Sequence, residues 1–215
     1  MLKGELKVEK NARYFVLGSE SKSIKKVWLV FHGYGQLANF FIKNFEQIDD
    51  GETLIIAPEG LNRFYWKGFS DKVVASWMTK EDRGKDIEDY VNYLNVLWDS
   101  IQKEYKIDTA SITLFAYSQG TATLCRWLLQ NNIQPKNMVF WAGTLAHDID
   151  FELLKSKLSG TKAVQLFGDK DEFYKPEQLK KLKKFIDKKE LEIDFKIFDG
   201  GHELKSEIIQ ELHSS

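Results

Sequence analysis

Short apolar runs alternate with stretches of helical periodicity, and this alternation narrows the possible folds more than any other feature of the chain. KVWLVFHG (26–33), TLIIAP (53–58), SITLFAYS (111–118), KNMVFWAG (136–143) and KAVQLFGD (162–169) are each rich in aliphatic or aromatic residues, and IDFKIFD (193–199) follows them. A strand that is apolar on both faces must be covered on both sides, which is the situation of parallel sheets. Between the runs lie helical patterns. Leu37, Phe40, Phe41, Phe45 and Ile48 suit one helix. Ile87, Tyr90, Val91, Leu94, Trp98, Ile101 and Tyr105 recur at three- and four-residue intervals over 82–105. Further helices are predicted at 119–131, 150–158, 176–189 with Pro176 in its first turn, and 203–213. The pattern predicts an α/β architecture, a mostly parallel sheet with helices on both faces. Residues 5–9 and 13–17 read as a short antiparallel pair turning near Lys10 and Asn11. Residues 61–79 read as a long irregular link.

The chain of 215 residues suits one α/β domain spanning 1–215. Lys and Arg total 31 against 32 Asp and Glu, a formal net charge of −1, so no concentrated positive charge argues for a nucleic-acid partner. One cysteine, Cys125, cannot form an internal disulfide and is read as a packed small hydrophobe. MLKGELKVEKNARYFVLG lacks the continuous apolar segment of a signal peptide, and no run reaches the roughly 20 apolar residues of a membrane-spanning helix. The expectation is a cytoplasmic protein without stable membrane insertion. The basic stretch KKLKKFIDKKE (180–190) is read as a solvated helix face. Oligomeric state is not legible.

In parallel sheets, chemistry sits at the C-terminal ends of the strands. Ala116-Tyr117-Ser118-Gln119-Gly120 lies at such an end, between a strand and a helix, and approximates the G-x-S-x-G elbow that exposes a nucleophilic serine. The bland alternative is a serine that only caps the following helix. A serine nucleophile needs a base, and the base an orienting carboxylate, in the chain order Ser, Asp or Glu, His. Gly168-Asp169-Lys170-Asp171 and Gly201-His202 follow later strands in that order. Among the four histidines, His32 belongs to another motif, His147 precedes the candidate acids, and His213 stands near the C-terminus, leaving His202. Asp171 is favoured as the acid, because its turn has room to reverse. Asp169 is expected to cap that turn, and Asp199 stands too close to His202 on a Gly-Gly turn. Phe31-His32-Gly33-Tyr34-Gly35-Gln36 follows the first long run. Its Tyr34 N–H, with the Gln119 N–H of the elbow, is predicted to form an oxyanion hole. No Walker A or dinucleotide fingerprint fits this loop.

HGYG (32–35), APEG (57–60), AYSQG (116–120), GDKD (168–171) and GGH (200–202), in this order over most of the chain, resemble the phospholipase/carboxylesterase branch of the α/β-hydrolases. That branch includes bacterial carboxylesterases and acyl-protein thioesterase-like enzymes. The resemblance implies the α/β-hydrolase fold, a Ser118–Asp171–His202 triad, an oxyanion hole from Tyr34 and Gln119, and neither metal nor cofactor. It implies hydrolysis of a small-molecule or acyl ester, or a thioester, through an acyl-enzyme. A fold retained for binding alone, or a peptidase or perhydrolase using the same triad, are the alternatives. Two departures stand out: Ala116 replaces the first elbow glycine, and Phe167 precedes Gly168 where the family often has histidine. The aromatic-rich 61–79 stretch should border the site, with Trp66, Trp77 and Met78 as candidate substrate contacts; for Trp77 the resemblance suggests this placement. The short 143–161 link argues against a large cap domain.

Overall fold

The computed structural model describes residues 1–18, 24–105, 107 and 112–215. Strands β1 (Tyr14–Leu17), β2 (Lys26–Phe31) and β3 (Thr53–Pro58) open the fold, with a short helix α1 (Ala38–Phe41) and a 3-10 stretch (Ile42–Ile48) between the last two. A hairpin of β4 (Asn62–Tyr65) and β5 (Val73–Ser76) follows, then the long helix α2 (Arg83–Tyr105). Alternation proper then sets in: β6 (Ile112–Tyr117), α3 (Gln119–Leu128), β7 (Asn137–Trp141), α4 (Phe151–Leu158), β8 (Lys162–Gly168), α5 (Pro176–Lys188), β9 (Ile193–Phe198) and α6 (Ser206–Ser214).

Seven strands form one sheet in the order β1-β3-β2-β6-β7-β8-β9, parallel throughout except for β1, which runs antiparallel along β3 at one edge. The continuous apolar runs have a direct cause. Successive strand side chains point to opposite faces, and both faces are covered. Val27, Leu29 and Phe31 of β2 pack in one core with Tyr90, Leu94 and Trp98 of α2 and Leu124, Trp127 and Leu128 of α3. Trp28 and Val30 point the other way, into a core shared with Phe41, Phe45, Leu179 of α5 and Ile209 of α6. Burying a side chain such as Phe31 or Phe115 contributes about 2 kcal/mol each, so these two cores hold the sheet between its helices. Outward-facing Lys180, Lys181, Lys183 and Lys184 of α5 are exposed. Residues 142–150 lead from β7 directly into α4, and no large cap domain is inserted among the described residues. No helix among them is long and apolar enough to cross a membrane.

Residues 5–9 form no strand and are exposed. Tyr14–Leu17 pairs instead with β3, Tyr14 opposite Pro58 and Leu17 opposite Ile55. An isolated two-stranded hairpin is marginal in water, whereas a sheet edge already supplies partners. The 37–48 helix is shorter than its periodicity predicts, passing into the 3-10 stretch after Phe41. Residues 61–79 are not an irregular link but carry the β4–β5 hairpin, Asn62 opposite Ser76 and Tyr65 opposite Val73. Ser111, predicted to start the strand ending at 118, lies outside the described residues. The strand register aligns Phe31 with Ala116, Tyr117 with Trp141 and Gly168 with Phe198, so the C-terminal ends of five strands open onto one rim.

Candidate active site

Ser118 turns the chain from β6 into α3 with φ 52° and ψ −118°. This is a conformation that L residues rarely adopt, and it costs on the order of 1–3 kcal/mol unless the surroundings enforce it. They do so here. The Ser118 N–H donates to Trp141 O at 2.8 Å, and the neighbouring backbones leave no room for wider turns. A Cβ on Gly120 would lie 2.5 Å from Phe31 O, and one on Gly143 2.2 Å from Ser118 O. The Ala116 methyl is buried within β6, which accommodates the departure from glycine. As N-cap of α3, Ser118 makes no side-chain capping bond. Its Oγ lies instead 3.0 Å from His202 Nε2.

His202 sits in the loop between β9 and α6, and three elements hold that loop. Tyr117 Oη donates to His202 O at 2.7 Å, Trp141 Nε1 donates to Glu203 O at 2.8 Å, and the Phe173 ring meets the imidazole edge-on at 4.7 Å. His202 Nδ1 is 2.8 Å from Asp171 Oδ2. The Asp171 side chain has no exposure, and its second oxygen accepts the Phe173 N–H at 2.9 Å. A carboxylate is acceptor-only, so Nδ1 carries the proton and Nε2 is free to accept from the Ser118 hydroxyl. The other two carboxylates point elsewhere. Asp169 Oδ1 accepts the Gly200 N–H at 3.0 Å, tying the two turns together, while Asp199 is solvent-exposed and paired with Lys170. Gly168 permits this crossing, since a Cβ there would lie 2.2 Å from Gly200 O. Burial, reinforced by the Asp171 charge, raises the Tyr117 phenol well above its ordinary pKa, so it stays a donor.

The loop after β2 lies against the elbow: a Cβ on Gly33 would come within 3.1 Å of Ser118 Cβ. Gly35 adopts φ 74°. The N–H groups of Tyr34 and Gln119 have no hydrogen-bond partner among the described residues. The Gln119 side chain clamps the end of β5 onto the elbow. Its Oε1 accepts from Ser76 Oγ (3.2 Å) and Trp77 N (3.1 Å), and its Nε2 donates to Met78 O (3.0 Å).

The three expected substrate contacts divide. Trp66 is 40% exposed and forms an aromatic shelf with Tyr34 and Phe64, ring centroids 5.8 and 6.4 Å away. Trp77 offers no surface to a substrate, which corrects its assignment. It is fully buried, stacked on His32 at 4.9 Å, and donates its indole N–H to His32 O at 2.8 Å. Met78 is half-buried, its sulfur 3.6 Å from Arg126 Nη1. Sequence reasoning missed Phe173, Tyr117 and the Gln119 side chain. An aromatic two residues after the candidate acid was the one available signal. Among the described residues no three His, Cys, Asp or Glu side chains converge to hold a metal ion.

His32 supports this rim from beneath. Its Nε2 accepts the Gly60 N–H at 2.9 Å, so Nδ1 carries the proton and donates to Gly33 O at 2.7 Å. Burial pushes its pKa down to about 4 from the usual 6.5. Between those two values the unfolded chain binds a proton that the folded protein refuses. Stability therefore falls as pH falls through that window, by about 3 kcal/mol from this group alone. An NMR titration of the ring protons is expected to show His32 still neutral at pH 5. A midpoint between pH 6 and 7 would contradict the buried acceptor role.

The sequence from residue 12 to 215 matches the family model described as phospholipase/carboxylesterase. Among solved structures, the chain resembles esterase PE8 (19% identity, 95% of this chain and 97% of that one, TM-score 0.70). It also resembles a carboxylesterase from Mesorhizobium loti (18%, 94% and 93%, TM-score 0.71). A third likeness is to Zea mays acyl-protein thioesterase 2 (13%, 95% and 97%, TM-score 0.67). At these identities the likenesses establish the fold alone. No curated protein matches the sequence significantly. With the family model matched across nearly its whole length on an α/β-hydrolase sheet, the chain belongs to the phospholipase/carboxylesterase family.

Proposed function

We propose that the protein hydrolyses carboxylic esters or thioesters through an acyl-enzyme formed on Ser118. The observation that carries this reading is the unbroken relay from Ser118 Oγ to His202 Nε2 (3.0 Å) and from Nδ1 to the buried Asp171 (2.8 Å), set on a strained elbow. A protein that only binds ligands gains nothing from holding these three groups in line.

His202 Nε2 takes the serine proton as Oγ attacks the acyl carbon, and Asp171 stabilises the imidazolium that results. The carbonyl oxygen becomes an oxyanion, which the Tyr34 and Gln119 amides are free to meet. His202 then returns the proton to the departing alkoxide or thiolate. In the second half, His202 activates a water that attacks the acyl-enzyme, and the proton goes back to Ser118 as the acid leaves. The Tyr34–Phe64–Trp66 shelf offers an apolar surface to the group flanking the scissile bond.

The test is a chain-length series of p-nitrophenyl esters and acyl thioesters, assayed before and after dialysis against EDTA. Hydrolysis that survives chelation undiminished is the expected result. No turnover of any member, or activity lost to EDTA and restored by zinc or manganese, would overturn the reading.

A further inference from the structure

Gln36 closes the loop after β2, and no step above uses it. Its side-chain Oε1 accepts the Gly33 N–H at 2.8 Å. Its backbone carbonyl accepts the Ala75 N–H of β5 at 3.1 Å, and Ala75 O in turn accepts the Gly35 N–H at 2.9 Å. The amides on either side of Tyr34 are therefore both occupied, while the Tyr34 N–H between them has no partner among the described residues. This matters because the loop carries glycine at 33 and 35, the latter at φ 74°, and such a segment has several accessible backbone conformations. An amide stabilises developing negative charge best when its direction is fixed before the reaction. The contact of Gly35 with β5 pins one end of the loop. At the other end, where Gly33 packs against Ser118, the Gln36 side chain holds the Gly33 N–H while His32 Nδ1 holds the Gly33 carbonyl.

We propose that Gln36 is a positioning residue of the oxyanion site: by accepting the Gly33 N–H it holds the loop so that the Tyr34 N–H, and not its neighbour, faces the reacting oxygen. Gln36 touches no reacting atom. The inference rests on the ester-hydrolysis reading of Ser118.

Gln36→Leu removes the acceptor at similar length and bulk. It is expected to lower kcat on p-nitrophenyl acetate about 10- to 100-fold, part of the loss seen when an oxyanion donor is deleted, while KM stays within about threefold. Affinity for phenylboronic acid should fall in step with kcat. That inhibitor forms a bond from Ser118 Oγ to boron as His202 takes the proton, and one boronate oxygen then occupies the oxyanion position. A loop stabiliser without this role would lower the melting temperature and leave the ratio of kcat to inhibitor affinity unrelated. Should the variant fail to fold, the wild-type protein still decides. On titration with phenylboronic acid, the Tyr34 amide proton is expected to shift downfield in the NMR spectrum and that of Gly33 to stay in place. A folded Gln36→Leu within twofold of wild-type kcat, or a Gly33 amide that moves in place of Tyr34, overturns this inference alone. A wild type inactive on every ester overturns the hydrolysis reading and this inference together.

Discussion

Ser118→Ala is expected to leave a folded protein in which ester hydrolysis has fallen by a factor on the order of 10⁶. The two halves of this expectation have separate causes. The fold survives because the hydroxyl packs no core and caps no helix; among the described residues its one side-chain bond is to His202 Nε2. The backbone strain at φ 52° is imposed by Gly120, Gly143 and the bond to Trp141 O, none of which the substitution touches. Losing one partly solvated hydrogen bond changes stability by about 1 kcal/mol or less. Activity collapses because the relay has no second nucleophile. The lone buried cysteine on α3, Cys125, is held as a thiol, burial pushing its pKa up to about 12. A thermal melt beside a p-nitrophenyl acetate assay checks both halves. A folded variant keeping more than a tenth of wild-type kcat would contradict the assignment.

Asp171→Asn is expected to lower kcat by about 10⁴, a magnitude seen when a triad acid becomes an amide. The structure gives the reason in atoms. Asp171 Oδ1 accepts the Phe173 N–H, and an asparagine would keep that bond with its carbonyl oxygen. Its NH₂ group would then face His202 Nδ1, where a donor demands the unprotonated nitrogen. The tautomer flips, Nε2 gains the proton, and it no longer accepts from Ser118 Oγ. Asp169→Asn keeps an acceptor for the Gly200 N–H and is expected to cost only a few fold. Asp199→Asn removes an exposed ion pair with Lys170 and is expected to stay within about twofold. Steady-state kinetics on the three variants gives the ranking. A larger loss at Asp169 than at Asp171 would move the acid.

The parts of this fold legible in the sequence are those where one physical requirement dominates. Runs such as KVWLVF announce strands covered on both faces, because β2 feeds two cores at once through Val27 and Trp28. The elbow is legible because crowding by Phe31 O dictates Gly120 two residues after the serine. Other features depend on what lies across the fold. The β4–β5 hairpin alternates too briefly to stand out, and residues 66–72 between its strands hide the pairing of Tyr65 with Val73. Trp77 reads as a pocket aromatic until His32, distant in sequence, proves to occupy its face. Asp169 and Asp171 share one turn, and only the position of the Gly200 amide separates their directions. Side-chain clamps such as that of Gln119 on Trp77 N and Met78 O leave no pattern in sequence at all.

Covalent trapping tests the central claim most directly. A fluorophosphonate reacts with a serine only when a base removes its proton and a hole accepts the phosphoryl oxygen, so labelling reports the assembled site rather than any one group. Intact-mass analysis after brief treatment is expected to show a single adduct, mapped by peptide sequencing to Ser118, absent from Ser118→Ala and strongly slowed in Asp171→Asn. An unlabelled wild type, or an adduct on another residue while Ser118 stays free, would contradict the account.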